Sequence, residues 1–366
     1  MAVSAEIIEK ERRLRELMAK EQLDAIAISS ISNFAWITCG GSNYVGTATE
    51  VGAATAVVTQ DRKYIVCDNI EARRIEEEEV ADQGFEFRTY RWFEGKRDDA
   101  IRGIVGDGVL GADIPIPGAV NISSTLDACR YRLTPDEINR YRLLGKDTGE
   151  CLAETAREIV PGMTEQEIAA VMNRHLMARG ITPTVTLVAV DERILKYRHP
   201  IPTDKKLDHC AMLVTGARKW GLICSATRMV HFGPLSSELR CKHEAVALVD
   251  ATFIAGTIPG AVMSDIFNRA LEAYKATGFG EEWKFHHQGG PTGYKGREFR
   301  VTARTNAIVL ENQAFAWNPS ITGTKSEDTI IATSQGPIIL SETEDWPKIE
   351  VEVDGVTIRR PEIMIR

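Results

Sequence analysis

The sequence predicts an α+β protein of two domains, an α/β domain over residues 1–132 and a larger α+β domain over residues 133–366. A chain of 366 residues is long enough for two to three domains of ordinary size. Near its start a helical pattern is followed at once by an apolar strand pattern, which is typical of α/β domains. The stretch from Pro115 to Leu133 has no clear hydrophobic period, so we place the domain boundary there.

The first domain shows short segments of helix and strand in alternation. Residues 3–22 have apolar positions at helical spacing and predict an amphipathic helix. Gln60-Asp61-Arg62 separates two apolar runs and predicts a turn between strands. The acidic stretch from Glu71 to Glu79 predicts a solvated helix face. Strands are predicted at residues 24–29, 54–59, 64–68 and 109–114.

Two capping boxes mark helix starts in the second domain. They are Thr134-Pro-Asp-Glu137 and Thr164-Glu-Gln-Glu167, in which a hydroxyl and a glutamate satisfy N–H groups of the first turn. Gly180 is typical of a helix end. Strands are predicted at residues 184–189, 211–214, 307–310 and 329–333, and again within the alternating tail 336–366.

An internal repeat with an offset of 98 residues runs through the second domain. Pro161-Gly162, Ile168 and Gly180 recur as Pro259-Gly260, Ile266 and Gly278. One interpretation is two related halves packed about a pseudo-twofold axis with a cleft between them. The other is that these residues mark ordinary helix boundaries.

Composition excludes several classes of function. With 44 basic and 52 acidic residues the net charge is −8, which argues against a nucleic-acid or anionic-membrane partner. The apolar runs are shorter than the roughly 20 residues of a membrane span. The N-terminal 20 residues are charged and amphipathic, unlike a signal peptide. Seven dispersed cysteines without a C-x-x-C motif indicate reduced thiols, so we expect a cytoplasmic protein.

Several motifs together resemble one known family. They are Val160-Pro-Gly-Met-Thr-Glu-Gln-Glu-Ile168, Tyr197-Arg-His-Pro200, Gly221-Leu-Ile-Cys-Ser-Ala-Thr-Arg228 and Asn318-Pro319 followed by Ser326-Glu-Asp-Thr329. The sequence resembles the creatinase/prolidase/methionine aminopeptidase superfamily over nearly its whole length. The resemblance implies an N-terminal α/β creatinase-like domain, a pita-bread catalytic domain with pseudo-twofold symmetry, and a hydrolase of C–N bonds.

The metal ligands of that family are largely absent here. The resemblance implies two divalent ions held by two aspartates, a histidine and two glutamates. The matching positions in this sequence are Val214, Ser225, His286 or His287, Asn318 and Glu327. A valine cannot ligate a metal, and serine and asparagine are neutral. We therefore expect no dinuclear metal centre and no cofactor.

The remaining residues are closest in pattern to the metal-independent creatinase type. His199 matches the catalytic histidine, and its ordinary pKa of about 6.5 suits proton transfer; the alternative is that His199 only binds substrate. Counting back eleven residues from Arg297 in Tyr294-Lys-Gly-Arg-Glu298 leads to His286, and His287 is the alternative. Arg297 is predicted to bind a substrate carboxylate, or else to pair with Glu298 or another neighbour.

Further site residues follow with less support from the pattern. Glu327 is predicted to be catalytic, or else a structural carboxylate. The predicted substrate-binding residues also include Asn318, Tyr294, His231 and Tyr44. His231 has the alternative of a core or surface position. We expect a homodimer in which Tyr44 or Trp36 reaches the cleft of the partner subunit, although core packing suits Trp36 better.

The sequence thus leads to three functional hypotheses. The first is a metal-independent, creatinase-like hydrolase cleaving an amide, urea-like or amidine C–N bond in a small carboxylate-bearing substrate. The second is an Xaa-Pro dipeptidase or aminopeptidase with a degenerate metal site. The third is a pita-bread domain that binds a peptide or protein without catalysis.

Overall fold

The computed structural model describes residues 4–366, which divide into two compact units. One unit extends to Glu137 and includes Trp220–Leu222, and the other comprises residues 138–219 and 223–366. Each unit contains both helices and strands, which confirms the predicted α+β class. No helix among the described residues has the length and apolar character needed to cross a bilayer.

The first unit is built around a six-stranded mixed sheet. Its elements are α1 (Ala5–Glu21), β1 (Ala25–Ser30), α2 (Ile31–Ile37), β2 (Val51–Thr59), β3 (Lys63–Asp68), α3 (Ala72–Arg74), a π-helical turn (Ile75–Glu79), β4 (Glu86–Tyr90), α4 (Arg97–Val105), β5 (Leu110–Ala112), β6 (Val120–Asn121) and α5 (Ser123–Ala128). The strand order is β4-β3-β2-β1-β5-β6, with β1 antiparallel to β2 and parallel to β5. All four strands predicted in this region are present.

The second unit contains two four-stranded sheets and two hairpins. Its elements are α6 (Pro135–Glu158, whose first turn belongs to the first unit), α7 (Glu165–Ala178), β7 (Thr182–Val190), α8 (Glu192–Lys196), β8 (Cys210–Lys219), β9 (Leu222–His231), α9 (Ser237–Gly256), α10 (Met263–Ala276), a 3-10 turn (Glu282–Phe285), β10 (Gly289–Pro291), β11 (Gln313–Trp317), β12 (Ser320–Ile321), β13 (Thr324–Lys325), β14 (Asp328–Ala332), β15 (Ile338–Ile339), β16 (Lys348–Val353), β17 (Val356–Pro361) and β18 (Met364–Ile365). The sheets have the orders β18-β9-β8-β7 and β10-β11-β14-β15.

Both predicted capping boxes are confirmed. The Glu137 N–H donates to the Thr134 hydroxyl at 3.3 Å, and the Thr134 N–H donates to the Glu137 carboxylate at 2.7 Å. The second box has the same two bonds, at 3.1 and 2.7 Å, between Thr164 and Glu167. Glu137 is also buried against Lys10, whose ammonium lies 3.0 Å from its carboxylate. The first box therefore fixes the start of α6 against α1.

The 98-residue repeat is a structural repeat. α7 and α10 each contain 14 residues and follow a Pro-Gly pair. Gly162 and Gly260 have φ of +94° and +90°, a conformation that favours glycine. The Gly162 N–H donates to Leu207 at 2.7 Å, and the Gly260 N–H donates to Val309 at 2.9 Å. Equivalent positions make equivalent bonds, so the second unit consists of two related halves.

The strand predicted at residues 307–310 is wrong. Ile308 forms only an isolated bridge with Val262. The carbonyl of Ala307 instead accepts a hydrogen bond from the Met263 N–H at 2.9 Å. The segment therefore satisfies the unpaired N–H groups at the start of α10, which a local apolar pattern does not reveal.

Four buried charged side chains connect β9, α9, β14 and β17. Arg228 lies 2.9 Å from Asp328, and Arg360 lies 2.6 Å from Asp250 and 2.7 Å from Asp328. Each of these charges has an opposite charge in contact, which offsets the cost of burial. These ion pairs hold the start of β14 at Asp328, and therefore also the residue immediately before it, Glu327.

Candidate active site

An ion pair fixes the two segments that carry the candidate histidines. His199 lies in the loop after α8, and His286 and His287 follow the 3-10 turn. The Arg198 guanidinium, between these segments, donates to the Glu282 carboxylate at 2.5 Å and to the Thr322 hydroxyl at 3.0 Å. Since Glu282 lies in the 3-10 turn, this contact holds the loop of His199 against it.

The backbone after the histidine pair is held from both sides. The Gln288 side chain donates to the His286 carbonyl at 2.7 Å and accepts from the Tyr274 hydroxyl at 2.9 Å. Gly289 has φ of +98°, and a Cβ there would lie 2.2 Å from the Ala316 carbonyl oxygen. Only glycine fits this approach of β10 to β11, which fixes the position of His287 two residues earlier.

The three histidines form one cluster. The Nε2 atoms of His199 and His286 are 2.9 Å apart, so one ring donates a hydrogen bond to the other. The rings of His286 and His287 stack with centroids 4.4 Å apart. His287 also approaches His199, with 6.0 Å between ring centroids. Both candidates left open by the sequence, His286 and His287, therefore join His199.

Burial and neighbouring cations keep these imidazoles uncharged. Burial, followed by the charge of Lys325, lowers the pKa of His199 below its ordinary value. The same two causes lower the pKa of His286 to about 2. Burial, followed by Arg297 and Arg300, lowers the pKa of His287 to about 4. At neutral pH the cluster therefore consists of neutral rings, each with one lone pair.

Glu327 is buried and surrounded by donors. Its carboxylate lies 2.7 Å from the Lys325 ammonium and 2.9 Å from the Arg297 guanidinium. The Thr227 hydroxyl donates to it at 2.8 Å. Burial raises the pKa of Glu327, but Lys325 and Arg297 outweigh this and lower it to about 2. Glu327 is therefore an ionised counter-ion bonded to side chains, and the predicted catalytic role remains a prediction.

The residues at the metal-ligand positions do not fit the dinuclear metal centre of the family that the sequence resembles. Val214 is buried in β8, where it pairs with Leu187 of β7, and offers no ligand atom. The Ser225 hydroxyl accepts from Arg297 at 3.4 Å. Both oxygens of Glu327 already bind donors, two of them cationic. One carboxylate that is already neutralised cannot hold two divalent ions.

Three of the predicted substrate-binding residues have their functional groups engaged or buried. Arg297 pairs with Glu327 and donates to the Gly296 carbonyl at 2.6 Å. Both terminal nitrogens of its guanidinium are therefore already hydrogen-bonded within the protein and are not free for a substrate carboxylate. Tyr294 is buried, with 3% of its surface exposed. Asn318 is also buried, and its Oδ1 has no hydrogen-bond partner among the described residues, so its role in substrate binding stays a prediction.

The structure does not bring His231 into the cluster. This residue ends β9, where its Nδ1 contacts the Gly233 carbonyl at 3.0 Å and its ring stacks on His209. Tyr44 lies in the first unit and is half-buried, and its role in a homodimer stays a prediction. Trp36 is fully buried in α2, as core packing requires.

Sequence reasoning missed two cations of the site, Lys325 and Arg300. Lys325 stands two residues before Glu327, a spacing that puts both side chains on one side of an extended chain. This two-residue spacing was the signal in the sequence that could have identified Lys325. Arg300 is exposed and has no hydrogen-bond or ion-pair partner among residues 4–366, yet it acts on the pKa of His199 and His287. The sequence contains no comparable signal for Arg300.

Family models match most of the chain. The model of metallopeptidase family M24 matches residues 139–334, and that of the creatinase/prolidase N-terminal domain matches residues 11–109. An uncharacterized peptidase of Staphylococcus aureus strain MW2 is 23% identical over 234 residues. That match covers 61% of this chain and 66% of the relative, just under two thirds of its length.

Solved structures share the fold over nearly the whole chain. An Xaa-Pro dipeptidase from Bacillus anthracis has a TM-score of 0.78 at 18% identity and covers 98% of this chain and 100% of its own. A prolidase from Pyrococcus horikoshii has a TM-score of 0.78 at 20% identity, covering 92% and 99%. The N-terminal domain of the FACT complex subunit SPT16 from chickpea has a TM-score of 0.69 at 13% identity, covering 93% and 97%. These likenesses establish the fold.

Proposed function

Because the chain belongs to metallopeptidase family M24, we propose that it is a hydrolase of C–N bonds and that it cleaves short peptides of the Xaa-Pro type. The family match favours this substrate class over the creatinase-type substrates that the sequence pattern suggests first. The Xaa-Pro dipeptidase and prolidase with the same fold support the same choice.

The observation that carries the proposal is the cluster of His199, His286 and His287 beside an unpaired cation. The unprotonated imidazole of His199 is suited to activating a water molecule, and this side chain is exposed to solvent. Arg300 is available for the terminal carboxylate of a short peptide, whereas the guanidinium of Arg297 is occupied by Glu327.

The proposed reaction is ordinary peptide hydrolysis. The water oxygen attacks the carbonyl carbon, and the proton that it loses is taken up at the histidine cluster. When the C–N bond breaks, that proton passes to the leaving nitrogen, so atoms and charge balance.

The test is an activity screen of the purified full-length chain. The panel contains Gly-Pro, Ala-Pro and Leu-Pro as well as creatine, with release of the free amine as the readout. We expect cleavage of a dipeptide and a loss of kcat of about a hundredfold in His199→Ala. His209→Gln, an exposed histidine beside Asp208, is the matched control and should retain activity. A kcat for His199→Ala within about twofold of the wild type would refute the role of the cluster.

Creatinase-type hydrolysis of another small C–N substrate is the second candidate. The specific observation in its favour is the full pairing of Glu327, with Val214 and Ser225 at the other ligand positions of the family. Turnover of creatine or of a urea-like carboxylate, without turnover of any dipeptide, would favour it.

A further inference from the structure

The three histidines also have the arrangement of a metal site. One nitrogen from each of His199, His286 and His287 can be chosen so that all three lie within 4.8 Å of one another. In a tetrahedral zinc site with bonds of about 2.0–2.1 Å, ligand atoms are about 3.3 Å apart. The Nε2 atoms of His199 and His286, at 2.9 Å, would have to separate by only a few tenths of an ångström.

A second observation also points to a ligand. The Nδ1 atoms of His286 and His287 are buried and have no hydrogen-bond partner among the residues that the structure describes. Buried ring nitrogens are normally satisfied by the protein or by water, because leaving them unpaired costs free energy. Coordination of an ion through Nδ1 of His287 would satisfy that atom, whereas His286 faces the ion through Nε2, so its own Nδ1 does not count toward the site.

The donor atoms of the cluster determine which ion it can take. Glu327 pairs with both Lys325 at 2.7 Å and Arg297 at 2.9 Å, so its carboxylate is not available as a ligand. The cluster itself offers only imidazole nitrogen and no carboxylate. Imidazole suits zinc, cobalt, nickel and copper, whereas magnesium and manganese prefer oxygen ligands.

We propose that His199, His286 and His287 together bind one divalent transition-metal ion of the zinc class. This site differs from the carboxylate-rich dinuclear centre that the family resemblance implies, because its ligands are three neutral nitrogens. Since His199 is exposed to solvent, a fourth position remains open to water, as in catalytic zinc sites. His199 would then serve as a ligand, and the chemistry that such an ion would supply is a lowered pKa of bound water.

The experiment is a metal titration of the metal-stripped, full-length chain. Zinc binding is measured by calorimetry, and cobalt binding by visible absorption, which reports tetrahedral nitrogen ligation. We expect one ion per chain, and we expect binding of zinc but not of magnesium or manganese. His199→Ala and His286→Ala should each weaken zinc binding by at least about tenfold.

Control variants test whether the three histidines themselves are the ligands. His209→Gln should bind zinc as the wild type does, and circular dichroism should show that every variant is folded. Glu327→Gln should keep the stoichiometry of one ion per chain, because this carboxylate lies outside the ligand set, although the uncompensated charge of Lys325 should weaken the affinity. Absence of stoichiometric zinc, or binding that survives both histidine substitutions, would refute the proposal. The titration needs no substrate, so its failure is distinct from failure of the proposed function.

Discussion

Replacing Glu327 with glutamine tests whether this carboxylate is a counter-ion within the protein. Glu327 is 3% exposed and binds Lys325 at 2.7 Å, Arg297 at 2.9 Å and Thr227 at 2.8 Å. Glutamine keeps the volume and can still accept from Thr227, but it carries no charge. Lys325 then stays buried without a neutralising partner. Removing one member of a buried ion pair typically lowers the free energy of unfolding by about 3–5 kcal/mol.

The pKa of Glu327 leads to a similar magnitude. Burial raises this pKa, but Lys325 and Arg297 outweigh burial and lower it from 4.5 to about 2. At about 1.4 kcal/mol per pH unit, this lowering corresponds to about 3 kcal/mol of stability. Because the folded-state pKa is depressed, this contribution is complete above about pH 4.5 and is lost as the pH falls toward about 2.

The assay is denaturant unfolding of metal-free protein, followed by tryptophan fluorescence at neutral and at acidic pH. We expect Glu327→Gln to lose about 3 kcal/mol at neutral pH and to lose less than the wild type on further acidification. The control is Glu238→Gln on α9, whose exposed carboxylate pairs with Lys242 at 2.6 Å and should leave the free energy of unfolding nearly unchanged. If Glu327→Gln behaves like this control without metal but destabilises the metal-loaded protein, Glu327 is a metal ligand and our reasoning is wrong.

Two further predictions concern substrate binding and the buried ion cluster. Arg300→Gln should raise KM for Xaa-Pro dipeptides by about tenfold or more with little change in kcat, because an arginine–carboxylate contact is lost; an equal rise for dipeptides with an amidated C-terminus would contradict this. Arg360→Met should lower the free energy of unfolding by about 3–5 kcal/mol, because Asp250 and Asp328 lose a shared buried partner. Denaturant unfolding measures this loss, and a change below about 1 kcal/mol would show that the aspartates are stabilised otherwise.

Local sequence signals predicted most of the fold. The two capping boxes at Thr134 and Thr164 depend on side chains three residues apart, so their bonds form wherever a helix starts there. The Pro-Gly repeat predicted two related halves because Gly162 and Gly260 occupy equivalent backbone conformations. The strand prediction at residues 307–310 failed because the structure of that segment depends on a distant part of the chain. The segment bonds to the start of a helix more than forty residues earlier.

The sequence predicted which residues belong to the site but not how their side chains are paired. The motifs singled out His199, the histidine pair, Arg297 and Glu327, and all of them lie in the second unit close enough to influence one another electrostatically. The pairing of Arg297 with Glu327 was not predictable, because the two residues are thirty positions apart in the chain. The exclusion of His231 was equally hidden, since its place beside Gly233 and His209 depends on where β9 ends.

The amino-acid sequence by itself determined the family, the helix starts, the internal repeat and the loss of metal ligands at Val214, Ser225 and Asn318. Only the tertiary structure decided that Glu327 is neutralised by Lys325 and Arg297. It also decided that His199 meets both His286 and His287. The physical reason is that charge pairing and imidazole protonation depend on distances of a few ångströms and on burial. Both are set by packing between segments that are remote in the chain.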